Sequence, residues 1–223
     1  MRRIGIIGGG QFGSSLAQAL AKRGVEVLVL DRDRSVVDRL AGIAAKVMEG
    51  DATEEGTMDA AGFRDCDIVV VAIGADLESS VLTTLSLKEM KIKRVVAKAS
   101  SDMHGTVLSR VGADRVIYPD RDMADRLARM LVAPSVLDYV EVSQGVSVLE
   151  IAAPLEFVGK TLAESNVRKM YGVTVLVLRR APQPDGTQET LVSPNADDMI
   201  ELGDTMVIFG ADEKLSKLEK ELT

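Results

Sequence analysis

Tryptophan is absent from this 223-residue chain, and cysteine and histidine each occur once. The single Cys66 excludes an internal disulfide and reads as an ordinary reduced thiol. The single His104, in Ser-Asp-Met-His-Gly, leaves little for imidazole chemistry, and its place at the start of a predicted surface helix reads as a solvated or capping side chain. Only four Phe and three Tyr are present and the net charge is −7. With neither a row of aromatics to stack bases nor a basic stripe to release counterions, nucleic acid is excluded as a partner. No apolar run approaches the ~20 residues of a membrane span. The opening strand is too short for a signal peptide and leads into a glycine turn, so the expectation is a soluble, cytoplasmic protein.

What the chain does have is glycine in a telling place. Residues 4–13 read Ile-Gly-Ile-Ile-Gly-Gly-Gly-Gln-Phe-Gly, a short apolar strand running into G-x-G-x-x-G (Gly8, Gly10, Gly13) and then into a helical pattern. The first glycine permits the tight turn, the second lets backbone approach a pyrophosphate, and the third lets helix pack on strand, with the helix N-terminus facing the anion. Asp31 follows at the end of the next strand, where a ribose-binding carboxylate belongs.

Strand and helix patterns alternate to about residue 118. Apolar runs at 4–7, 25–30, 45–48, 68–73, 95–98 and 115–118 are separated by helical stretches near 12–23, 34–42, 54–61, 76–90 and 102–111. The fold class is therefore α/β: a Rossmann-like, doubly wound parallel sheet with helices on both faces and the ligand at the carboxyl ends of the strands. A helical stripe at Met123, Leu127, Met130 and Leu131 then leaves the sheet, is interrupted at Pro134 and Ser135, and resumes as an apolar stretch at 136–142. This reads as a broken crossover helix. Strands at 146–152, 174–179, 189–192 and 205–209, helices at 161–169 and 212–222, and turns at 182–186 and 203–204 make a second, small α+β domain. The expected domains are 1–138 and 139–223.

Several side chains at the strand ends have chemistry to offer. Asp33 could reach the same sugar as Asp31, while Arg32 between them would favour a 2′-phosphate, leaving NADP open. Asp51 either meets the adenine or caps a helix beginning near Glu54. Lys98 either reaches the phosphates or snorkels at its strand end. A nicotinamide-dependent oxidoreductase would need a proton donor beside the hydride, and no convincing candidate is present. A nucleotide-responsive interaction domain with some other partner shares the same fold.

Taken together, the glycine loop, Asp31, Gly50-Asp51-Ala52-Thr53, Val-Ala-Ile-Gly at 71–74, Val-Gly-Ala-Asp-Arg-Val-Ile-Tyr-Pro-Asp-Arg-Asp-Met-Ala at 111–124 and Val-Leu-Asp-Tyr at 136–139 resemble the regulatory gating-ring subunits of bacterial Ktr/Trk potassium transporters, the RCK or KTN domain proteins. The likeness spans essentially the whole chain. It implies a non-enzymatic subunit whose N-domain binds ATP, ADP or NAD(H), whose connector helix forms an intertwined homodimer, and whose dimers build a ring, an octamer, beneath a membrane potassium transporter subunit. Carried over by position, it places Gly8, Gly10 and Gly13 at the phosphates with Gln11, Phe12 and Lys98, Asp31 and Asp33 at the ribose with Arg32 beside them, and Asp51, Ala52 and Thr53 near the adenine. Ile73 and Gly74 lie close to the nucleotide. Gln11 stands where the Ktr branch carries an arginine that reaches a γ-phosphate, which weakens the argument for ATP selectivity and makes ADP or NAD(H) more plausible than is usual in the family. Asp120 stands where a glutamate is usual and is implied in a site for Mg²⁺ or another cation. In several relatives the C-domain cleft binds cyclic di-AMP, and Asn166, Arg168, Tyr171 and Pro194 are compatible with it. Read without the resemblance, Arg168 and Tyr171 simply end a helix.

Overall fold

A computed structural model of the chain describes residues 2–132, 136–183 and 185–221. The first part runs β1 (Arg3–Ile7), α1 (Gln11–Ala21), β2 (Glu26–Asp31), α2 (Arg34–Leu40), β3 (Lys46–Glu49), α3 (Thr57–Ala61), β4 (Ile68–Val71), α4 (Leu77–Glu89), β5 (Val95–Lys98), α5 (Asp102–Arg110) and β6 (Arg115–Ile117). The six strands form one sheet in the order β3-β2-β1-β4-β5-β6, every pairing parallel. Strand periodicity explains why helices cover both faces. Ile6, Val27 and Val29 pack with Ala17 of α1 and with Val36 and Leu40 of α2; the alternate residues Ile7, Leu28 and Leu30 pack with Met58, Leu87 and Leu108 of α3, α4 and α5. Each such side chain, fully buried, is worth about 1.5–3 kcal/mol, and a one-residue slip of register would exchange the two cores.

Three helices of this first part start on side-chain caps. Asp33 accepts from the Ser35 amide (2.8 Å), Asp76 from the Ser79 amide (3.0 Å) and Ser101 from the His104 amide (3.1 Å). The helix expected from residue 54 begins only at Thr57, after Gly56 in the left-handed conformation (φ 80°). Asp51 is therefore not its cap. His104 is also not solvated: it is fully buried. Its Nδ1 accepts from the Ser100 amide (3.3 Å), which leaves the proton on Nε2, facing Ser80 Oγ at 3.2 Å. Burial lowers its basicity. Cys66 is buried, and that burial pushes its thiol up to about 11.

The second part runs α6 (Pro119–Val132), β7 (Val136–Ser143), β8 (Val146–Ala152), α7 (Leu162–Ser165), α8 (Val167–Tyr171), β9 (Thr174–Arg179), β10 (Thr190–Val192), β11 (Thr205–Ala211) and α9 (Asp212–Glu221). Its five strands form an antiparallel sheet, β10-β9-β11-β8-β7. Leu149, Ile151, Leu178, Met206 and Ile208 point to one face and pack with Val167 and Tyr171 of α8 and with Leu215 and Leu218 of α9.

Three expectations are corrected here. The stretch 136–142 lies in a strand, β7, not resumed helix, and β7 forms an antiparallel hairpin with β8. A domain boundary at 138/139 would cut that strand, and the chain divides into its two compact units between Asp120 and Arg121 instead. The helix expected over 161–169 is split by Asn166, which takes the left-handed conformation (φ 56°) and separates α7 from α8. The expected break at Pro134 and Ser135, the middle of the 182–186 turn at Pro184 and the last residue of the C-terminal helix lie outside the described residues.

Candidate functional site

The strand order reverses between β1 and β4, and a cleft of about 470 Å³ opens there above the carboxyl ends of the strands. Such a switch point is where doubly wound sheets bind ligands. Its floor is apolar, with Ile7, Leu30, Val36, Ala52, Ala72 and Ile73 on the lining. Of the residues expected at the site, Gly8, Gly10, Asp31, Arg32, Asp33, Asp51, Ala52, Ile73 and Gly74 all line it.

The glycine turn is built as the spacing requires. Gly8 has φ +95°, a conformation that side chains oppose. A Cβ on Gly13 would stand 1.9 Å from the Gly8 carbonyl oxygen, whereas a Cβ on Gly10 would meet nothing within 4 Å. The first lets the helix close on the turn; the second is open space for a ligand. Unlike α2, α4 and α5, α1 has no side-chain cap: its N-cap is Gly10, and no acidic residue lies in its first turn. Its amides and its dipole, at Gln11, Phe12 and Gly13, are thus available to an anion.

The acidic groups occupy the other end. Asp31 accepts from the Gly9 amide (2.5 Å) and the Asp33 amide (2.8 Å), which orients it over the end of β2. Asp33 and Asp76 lie below the usual carboxylate range, each held there first by a serine hydroxyl, Ser35 and Ser79. Asp51 is likewise lowered, by the Thr53 hydroxyl at 2.7 Å and the Thr53 amide at 2.8 Å. That local turn is the place of Thr53, while Ala52 next to it faces the cleft.

Lys98 and Asp120 meet at 2.9 Å. The lysine side chain is 15% exposed, its ammonium lies 5.7 Å from the centroid of the Phe12 ring, and a Cβ on Gly74 would come within 3.6 Å of it. Lys98 is therefore placed beside the start of α1 rather than simply in solvent. The Asp120 carboxylate is engaged by Lys98. Among the described residues no three His, Cys, Asp or Glu side chains are grouped to hold a metal, so a cation at Asp120 would need oxygens from a bound ligand.

Sequence reasoning missed several supports. Ser14 Oγ donates to the Gly9 carbonyl (2.5 Å), and Arg39 donates to the same oxygen (3.3 Å). Asp76 and Ser79 complete the cleft from α4. Only the fold brings these side chains to one turn.

In the second unit, Tyr171 is a core residue. It is 4% exposed, sits edge-on to Phe157 at 6.4 Å between centroids and directs its hydroxyl toward Glu156 (3.5 Å). This corrects its expected place as a ligand-facing residue. Asn166 and Arg168 are exposed and Pro194 is half-buried. Arg168 contributes its carbonyl to the Gly172 amide (3.0 Å), which ends α8 on a left-handed glycine (φ 69°).

Fold and cleft define a nucleotide-binding α/β domain joined to a small antiparallel one. Residues 4–119 match the TrkA-N domain family and residues 146–223 the TrkA-C domain family. The chain is 38% identical to Ktr system potassium uptake protein C of Bacillus subtilis, over 98% of this chain and 96% of that one. It is 33% identical to Ktr system potassium uptake protein A of Vibrio alginolyticus, over 99% and 98%. The chain belongs to this family of Ktr potassium uptake proteins. Among solved structures, the GsuK channel bound to NAD matches over 100% of this chain and 38% of its own, with 25% identity and a TM-score of 0.55. GsuK bound to ADP matches over 58% and 34%, with 28% identity and a TM-score of 0.51. This chain thus spans well under half the length of those channel chains. No helix among the described residues is long and apolar enough to cross a membrane.

Proposed function

We propose that this chain is the nucleotide-sensing regulatory subunit of a potassium transport system, making and breaking no covalent bond itself. The observation that carries the reading is the uncapped start of α1, which opens on a cleft bounded by Asp31. This site lies in a chain whose relatives are potassium uptake proteins along nearly their full length. An adenine nucleotide would lie with its phosphates on Gly8–Gly13, its ribose at Asp31 and its base toward Asp51. Neutral Gln11 supplies no fixed charge to a γ-phosphate, so ADP or NAD(H) is favoured over ATP. Mg²⁺ or another cation would be shared between the phosphates and Asp120.

The partner is a membrane-embedded potassium transporter subunit, which holds this chain at the inner face of the cell membrane. An apolar stripe on α6, with Met123, Leu127 and Leu131 each at least half exposed, supports a homodimer through that helix, and dimers would close into an octameric ring. Ligands that bind two ring shapes with different free energies shift their populations, and a differential of a few kcal/mol is enough to change pore opening strongly. Cyclic di-AMP, if it binds, would use the exposed Asn166 and Arg168 with Pro194.

Thermal shift with ATP, ADP, NAD⁺, NADH and cyclic di-AMP, followed by potassium flux in vesicles holding the transporter, tests the reading. Adenine nucleotides should stabilise the wild type, not Asp31→Ala, and should alter flux. Absence of both effects overturns it.

A further inference from the structure

One basic side chain, Arg32, is on the lining of the cleft, and it reaches across it. It leaves the end of β2, and its guanidinium meets Asp76 Oδ2 at the start of α4 at 3.8 Å. Asp76 is a fixed anchor: Oδ1 accepts from the Ser79 amide (3.0 Å) and Oδ2 from the Ser79 hydroxyl (2.7 Å). Arg32 is 70% exposed and forms no part of the core.

The position of this pair follows from the rest of the site. With phosphates on the start of α1 and the sugar at Asp31, the base lies beyond the sugar, between the end of β3 and the turn into α4. That is the span the Arg32–Asp76 pair bridges. Arg32 has two chemical uses there, to receive a 2′-phosphate or to cover the base. Two observations favour the base. Arg32 is paired across the cleft with Asp76, and the Asp31 carboxylate is held at the sugar end by the Gly9 and Asp33 amides (2.5 and 2.8 Å), where its charge opposes a 2′-phosphate.

We propose that Arg32, anchored by Asp76, is a strap over the adenine of a bound adenosine nucleotide. The proposal rests on the nucleotide reading above. A planar guanidinium stacks on the ring face, so the strap acts on the adenosine half and is indifferent to the phosphate tail.

The test is calorimetric titration of AMP, ADP, NAD⁺ and NADP⁺ into wild type, Arg32→Ala, Arg32→Lys and Asp76→Asn. Arg32→Ala should weaken AMP, ADP and NAD⁺ by one common factor of about five- to thirtyfold. Arg32→Lys should not restore them, Asp76→Asn should give a smaller common loss, and the melting temperature of the ligand-free protein should not change in the two Arg32 variants, whose side chain is 70% exposed. Unchanged affinities in Arg32→Ala, or a loss confined to NADP⁺, overturn the strap while leaving the nucleotide site intact. A wild type that binds none of the four overturns the site itself.

Discussion

The Lys98 ammonium is shared between the Asp120 carboxylate, at 2.9 Å, and the face of the Phe12 ring, 5.7 Å to its centroid. A phosphate arriving at α1 competes with Asp120 for that ammonium. Removing the ammonium should therefore cost phosphate recognition and nothing at the base. Lys98→Ala is expected to weaken ADP roughly ten- to hundredfold, the worth of one charged hydrogen bond, and to leave adenosine unchanged. Titration calorimetry with both ligands reads the difference.

Two glycines three residues apart should respond oppositely to alanine. Gly13→Ala drives a methyl to 1.9 Å from the Gly8 carbonyl oxygen, and a backbone shift to relieve it costs roughly 1–3 kcal/mol. Its melting temperature should fall. Gly10→Ala has open space and an ordinary φ of −59°, so its melting temperature should hold while nucleotide binding is lost to the methyl in the phosphate path. Paired melting curves with and without ADP check both.

Burial of His104 makes stability depend on pH in a window that carboxylates leave clear. Its folded-state basicity is below the ordinary value of 6.5, so the unfolded chain takes up the proton first. The stability it contributes is present above pH 6.5 and is lost as pH falls through the lowered folded value. A proton on Nδ1 would also displace the Ser100 amide that donates to it. Asp33, Asp51 and Asp76 are all lowered from 3.8 and stay charged across this range. Resistance of the wild type to chemical denaturant should fall as pH is lowered below 6.5, and His104→Gln should flatten that slope.

Charge on the α6 stripe should oppose self-association. Met123, Leu127 and Leu131 follow at helical spacing and are 58%, 50% and 72% exposed. If a second copy covers them, each contributes about 1.5–3 kcal/mol, and Leu127→Glu should shift the dimer to monomer in light scattering at micromolar concentration. An unchanged mass would place the dimer contact elsewhere.

Local chemistry was readable from the chain, and long-range chemistry was not. The β1 turn into α1 is contiguous, so the places of Gly8, Gly10 and Gly13 in that turn followed from their spacing, and that of Asp31 at the end of β2 from its distance from them. Strand β7 hid because its alternation is broken. Register shifts between Val136 and Asp138 and between Glu141 and Ser143 blur the period of two, directly after a strong helical stripe. His104 resembled a surface residue because its partner Ser80 is 24 positions away. Arg32 drew attention only as a neighbour of Asp31. Its partner Asp76 lies across a strand crossing that sequence order does not reveal. Only the resemblance places Tyr171 at a ligand, and without it the residue falls at a helix end; the sheet beneath α8 takes it into the core.

The depth of Cys66 has a practical consequence. A thiol pushed up to about 11 is almost wholly protonated at neutral pH, and this one is also 3% exposed. Maleimide reagents will pass it by in the folded protein. The wild-type sequence is already a blank background for site-directed labelling, so one new cysteine on the exposed face of α6 can carry a fluorophore or spin label that reports distances as nucleotide is exchanged.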